Sequence, residues 1–221
     1  MKHIAAIVGD YYHDPALIRE SMAGALAPFE QAGRIRLTFH GVEQFESVLL
    51  SDPRPDVFIL FKENRLNPAD AQVNEWMTAA AEETACRFVE EGGAFLNWHS
   101  GLAGYDKFEL LNDMLKGYFR HHPEQVSVRY DGALPSTMQE DGGRPVSFEA
   151  VDEHYFVHCR EAETQVFLRS SSIHGSEPAG WLHRHGRGKV ICLTPSHTRA
   201  ALLSGGMRSL LASAVEWCLE A

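Results

Sequence analysis

The stretch Glu91-Gly92-Gly93-Ala94-Phe95-Leu96-Asn97-Trp98-His99-Ser100-Gly101 decides how the chain is read. Paired glycines stop a preceding helix, since glycine reaches the left-handed backbone that ends one. Residues 94–98 are then short and largely apolar, the pattern of a strand buried on both faces. His99-Ser100-Gly101 leaves that strand abruptly, and a helix is expected from about residue 106 to 115. A side chain at so sharp a strand-to-helix turn is held out from the sheet, as at a nucleophile elbow, and here it is His99.

Working outward, residues 2–8 and 56–61 read as two more buried strands, and residues 34–39 alternate as a third, with Ile35, Leu37 and Phe39 on one side. Asp14-Pro15 is a cap followed by a first-turn proline, opening a helix to about residue 32, with Gly33 closing it. Pro28 is expected to bend or end that helix early. Asn67-Pro68 repeats the signal and predicts a long helix to about residue 91. The first 115 residues therefore read β-α-β-β-α-β-α, the pattern of a parallel sheet with helices on both faces. The second half changes to strands, at residues 126–130, 146–158, 165–170 and 181–194, with a hairpin turn at Gly186-Arg187-Gly188-Lys189. Residues 132–143 form the most loop-like stretch, and Gly205-Gly206 opens a last helix to residue 221. The economical reading is one α/β domain over residues 1–221, with strands added in its second half.

Composition supports a folded domain. Of 221 residues 44% are apolar and 10% aromatic, enough for a sizeable core and against intrinsic disorder. Thirty acidic residues against 20 basic give a formal charge of −10, which argues against a nucleic-acid partner. No apolar run approaches the ~20 residues of a membrane span, and residues 4–8 are too short for a signal-peptide core. A cytoplasmic location is expected. Cys86, Cys159, Cys192 and Cys218 contain no CxxC pair and read as reduced core residues. Histidine is the outlier: protonating all 12 would move the formal charge from −10 to +2 (−10 + 12).

Ligands bind at the carboxyl ends of strands in open α/β sheets. Three such ends carry unusual residues: Gly9-Asp10-Tyr11-Tyr12-His13, Phe61-Lys62-Glu63-Asn64-Arg65 and Asn97-Trp98-His99-Ser100-Gly101. His197 follows the buried run at residues 190–193 and is expected at the same sheet edge, within about 8 Å of His99, close enough to share a ligand through one water or metal. Tyr11, Tyr12, Tyr118, Trp98 and Trp181 are candidates to stack on sugar rings, with core packing as the alternative, stronger for Trp98. No HExxH motif is present.

At this point five pieces in order resemble the ThuA-like (trehalose-utilisation) family, of the class I glutamine amidotransferase-like fold. They are residues 92–101 (GGAFLNWHSG), 116–123 (KGYFRHHP), 151–155 (VDEHY), 178–190 (PAGWLHRHGRGKV) and 194–198 (TPSHT). Ser196 stands where the family pattern has glycine. The resemblance implies a flavodoxin-like three-layer sandwich and a role in sugar catabolism, particularly on keto-sugar derivatives of disaccharides. It also implies that the amidotransferase cysteine is missing, and no cysteine lies near residue 99, so glutamine hydrolysis through a thiolate is not expected. The expected enzyme is a hydrolase, lyase or isomerase. Its site is His99, His197 and Glu153, acting as acid/base groups or as ligands of a divalent metal such as zinc. Of the adjacent pair Asp152-Glu153, the resemblance favours Glu153 as the one facing the site. Ser100, His122 and Tyr155, with Tyr11 and Trp181, are expected to bind substrate. A small-molecule sugar is the expected partner, without nucleic acid or membrane, and a homo-oligomer is compatible. The alternative is a non-catalytic carbohydrate- or partner-binding module, in which the histidines do not converge.

Overall fold

The computed structural model describes residues 1–135 and 143–220. The middle of the loop expected at residues 132–143 lies outside them. Strand β1 (Lys2–Val8) leads into α1 (Pro15–Gln31), β2 (Ile35–Phe39), the short α2 (Phe45–Leu49) and β3 (Val57–Phe61). Then come α3 (Ala79–Glu90), β4 (Ala94–Trp98), a 3-10 turn (His99–Leu102), α4 (Glu109–Leu115) and β5 (Gly117–His121). The second half supplies β6 (Val126–Leu134), β7 (Arg144–Asp152), β8 (Phe156–Cys159), β9 (Gln165–Ser172), β10 (Gly175–His185) and β11 (Gly188–Leu193), before α5 (Arg199–Leu202) and α6 (Gly205–Leu219).

Nine strands form one sheet in the order β2-β1-β3-β4-β11-β10-β9-β6-β7, and β5 and β8 pair as a separate ribbon. The first five are parallel; the remaining pairings are antiparallel. This is a flavodoxin-like α/β sandwich with added strands. Alternate residues of β1 face different cores: Ile4, Ala6 and Val8 pack with Ile18 and Met22 of α1 and Leu210 and Leu211 of α6. Ala5 and Ile7 pack with Phe45 of α2, Phe88 of α3 and Leu111 of α4. Both faces are therefore covered by helices, which is why the central strands read as continuous apolar runs.

Two helix expectations need correction. Pro28 does not end α1: it lies in the last turn, has no N–H to donate, and its carbonyl still accepts from Ala32 N at 3.2 Å. Asn67-Pro68 opens no helix. The Asn67 side chain instead organises a loop, accepting from Asn74 N at 2.6 Å and donating to Asp70 and Gln72. The helix begins at Ala79, where Thr78 Oγ1 accepts from Ala81 N at 3.1 Å.

The strand expected at residues 146–158 is also two strands. Its break has a cause: the wholly buried Asp152 carboxylate accepts from Tyr130 Oη at 2.9 Å and from the backbone of His197 at 2.7 Å, pinning the end of β7. Beyond Glu153–Tyr155 the chain leaves the sheet and pairs as β8 with β5. Three successive antiparallel steps separate β10 from β7, so β7 runs in the same sense as β11. Its carboxyl end, with Glu153, opens at the edge where β1, β3, β4 and β11 also end.

Candidate active site at the sheet edge

His99 has φ +48°, a left-handed backbone that a non-glycine residue adopts at a cost of about 1–2 kcal/mol. The turn is held by close packing: a Cβ on Gly101 would meet Leu60 O at 2.3 Å. The His99 ring is fully buried, stacked on Tyr155 with centroids 4.1 Å apart. Its Nδ1 donates to Thr194 O at 2.6 Å, which fixes the proton there and turns the Nε2 lone pair toward Glu153, 3.6 Å from Oε2. That Nε2 is buried and has no hydrogen-bond partner. Burial pushes the imidazole below its ordinary pKa, so the ring is neutral at pH 7.

The end of β1 supplies the residues the sequence reading missed. Asp10 gathers four donors: Ser100 Oγ at 2.7 Å, the backbone N–H groups of Tyr12 and Glu63, and His13 Nδ1 at 2.6 Å. Burial opposes its charge, but those hydrogen bonds outweigh it and hold the carboxyl well below the usual range. The proton on His13 Nδ1 leaves Nε2 free as an acceptor, 2.8 Å from His197 Nδ1. The signal for His13 is its place in the strand-end stretch Gly9-Asp10-Tyr11-Tyr12-His13, where the sequence reading favours Tyr11 and Tyr12 instead.

His197 is held by the Asp152 carboxylate, through its own backbone N–H and that of Thr198. Its ring centroid is 5.8 Å from that of His99. Burial, with His99 and His13 alongside, pushes its pKa down to about 4. Asp152 therefore shapes the turn, while Glu153 faces the site, its Oε1 3.3 Å from His197 Nδ1. Burial disfavours the Glu153 charge, yet the surrounding His99, His197 and His122 outweigh it and hold the carboxyl below its ordinary range. One ligand atom from each of His13, His99, Glu153 and His197 lies within 4.8 Å of the others.

His13, Glu153 and His197 border a cavity of about 400 Å³, within the range of small-molecule sites, and His99 is buried behind them. Ser100, His122 and Tyr155 line it as expected positions, joined by Tyr12, Glu63, Arg65 and Phe119. His122 Nε2 is 3.6 Å from Glu153 Oε2. Two expected substrate contacts are elsewhere. Trp181 is fully buried in the core beneath α4, and its Nε1 donates to Leu115 O at 2.8 Å. Tyr11 is 61% exposed and outside the lining; Asp10 closes the loop on Tyr12 N and so presents Tyr12. Trp98 is core, its indole N–H donating to Pro195 O. No cysteine lines the cavity.

The profile of the ThuA family, described as trehalose utilisation, matches residues 20–218. The chain belongs to the ThuA family. Two ThuA-like structures share its fold. One, from Parabacteroides merdae, superposes with TM-score 0.72 at 14% identity over 98% of this chain and 89% of that one. The other, from Bacteroides uniformis, gives TM-score 0.71 at 16% identity over 99% and 91%. A β-galactosidase from Rahnella sp. R3 contains a similar fold, with TM-score 0.60 at 13% identity over 100% of this chain and 32% of that one. No functionally curated protein matches the sequence. Among the described residues of this ThuA chain, no helix is long and apolar enough to cross a membrane.

Proposed function

We propose that this ThuA chain is a sugar-catabolism enzyme that acts on a small carbohydrate or keto-sugar derivative by acid/base or metal-assisted chemistry. The observation that carries this reading is the convergence of His13, His99, Glu153 and His197, three of which, His13, Glu153 and His197, border one cavity. A binding module has no need to gather three imidazoles and a carboxylate on one point; proton transfer does.

The chain's own groups divide the work. Glu153 is ionised at neutral pH and accepts a proton from a carbon or a water beside it. His99 offers a lone pair whose direction Thr194 fixes, and His197 and His13 bring two more ring nitrogens, 2.8 Å apart, to the same point. The paired Glu63 and Arg65 offer charged hydrogen-bonding groups at the wall, and Tyr12 and Phe119 supply apolar faces for a sugar ring. The test is turnover of a keto derivative of a disaccharide beside its unoxidised parent. Consumption of the keto-sugar is expected; no consumption of either sugar overturns the reading.

A further inference from the structure

The geometry points to a divalent transition-metal site of the zinc type, made by His13 Nε2, His99 Nε2, His197 Nδ1 and one Glu153 oxygen, with Asp10 and the Thr194 carbonyl orienting two of the rings. It deepens the proposed function by naming an electrophile at the same site, and rests on that reading only for the reaction it serves.

Three features carry the inference. The first is spacing. An ion bound tetrahedrally at 2.0–2.2 Å holds neighbouring ligands about 3.4 Å apart. Here His13 Nε2 is 2.8 Å from His197 Nδ1, His197 Nδ1 is 3.3 Å from Glu153 Oε1 and His99 Nε2 is 3.6 Å from the other oxygen, Oε2, while one ligand atom from each of the four residues lies within 4.8 Å of the others.

The second is tautomer control. A metal-bound imidazole characteristically donates its other N–H to a carboxylate or backbone carbonyl. His13 does so to Asp10 and His99 to Thr194 O, both at 2.6 Å. Each bond puts the proton on Nδ1 and leaves Nε2 as a donor of electrons toward the same point.

The third is the unanswered lone pair. His99 is wholly buried, and its inward Nε2 has no hydrogen-bond partner. A buried acceptor left so is destabilising, and a cation at this point satisfies it. Three imidazoles and one carboxylate are the donor set of zinc and its neighbours; calcium and magnesium take oxygen ligands. Such an ion polarises a substrate carbonyl or lowers the pKa of a bound water.

The experiment uses the full chain, stripped with a chelator and titrated with Co(II), read by visible absorption, with elemental analysis of the protein as purified. We expect about one transition-metal ion per chain and a Co(II) d–d band that saturates at one equivalent. His99→Ala and His197→Ala should abolish the band. His174→Ala, an exposed turn residue, should leave it unchanged. Asp10→Asn, a positioning change, should weaken metal affinity 10–100-fold while keeping the band shape. If His99→Ala fails to fold by circular dichroism, His197→Ala carries the test. No band in the wild-type chain, or a band unchanged in folded His197→Ala, overturns the site. Metal bound without turnover of any keto-sugar would instead overturn the sugar reading and leave the metal site standing.

Discussion

His99 is enclosed on every side, stacked on Tyr155 and bonded to Thr194 O, so removing its ring does more than delete a functional group. An elbow side chain read from sequence alone suggests little cost to stability; the observed burial implies a cavity. His99→Ala should therefore lose activity by 10²–10⁴-fold and also destabilise the protein by about 1–3 kcal/mol, measured by urea unfolding alongside the turnover assay. Asp10 gives a pH signature. Its folded pKa is depressed, so its stabilisation is fully present above the unfolded value near 4 and is lost as pH falls through and below that value toward the folded one. Asp10→Asn removes that dependence. The stability gap between wild type and variant should be wider at pH 6 than at pH 3, by urea unfolding at each pH; an equal gap would mean that the carboxylate is not held ionised by its donors.

At the scale of elements, the carboxyl ends of β1, β4 and β11, with that of β7, each present one residue or loop to the same point. The first three were legible because a buried apolar run followed by polar residues marks a strand end in a parallel sheet. Glu153 was legible only by resemblance: nothing in its local sequence says that β7 ends there, because the cause is Asp152 bonding Tyr130 and a loop 45 residues away. Helix α3 starts 11 residues later than Asn67-Pro68 suggests (Thr78 caps it, 78 − 67), because that pair is a cap signal that a loop can use equally well. Trp181 was indistinguishable from a sugar-stacking residue until its neighbours were known. Trp181→Ala should cost about 3–5 kcal/mol by urea unfolding, with little change in KM for the protein that remains folded. A raised KM with unchanged stability would return Trp181 to the site.

For the molecule as a whole, the nine-stranded sheet and two helix-covered cores leave the cysteines no exposed, activated position. Cys86, Cys192 and Cys218 are buried and Cys159 partly so, and all four are free. Burial pushes the thiols of Cys86, Cys159 and Cys218 up to about 12, and that of Cys192 well above its ordinary value. Thiol titration at pH 8 without reductant should find these groups slow to react in the native protein and all four reactive after denaturation; two missing after denaturation would signal a disulfide. The central claim is that the converging edge performs chemistry rather than binding alone. The most direct measurement is calorimetric binding of a disaccharide keto derivative together with its turnover, in wild type and in Glu153→Gln. We expect both to bind the sugar with similar affinity and only the wild type to turn it over, the variant being slower by at least about 10²-fold. Equal turnover by the variant, or sugar binding by the wild type with no turnover at all, would contradict it.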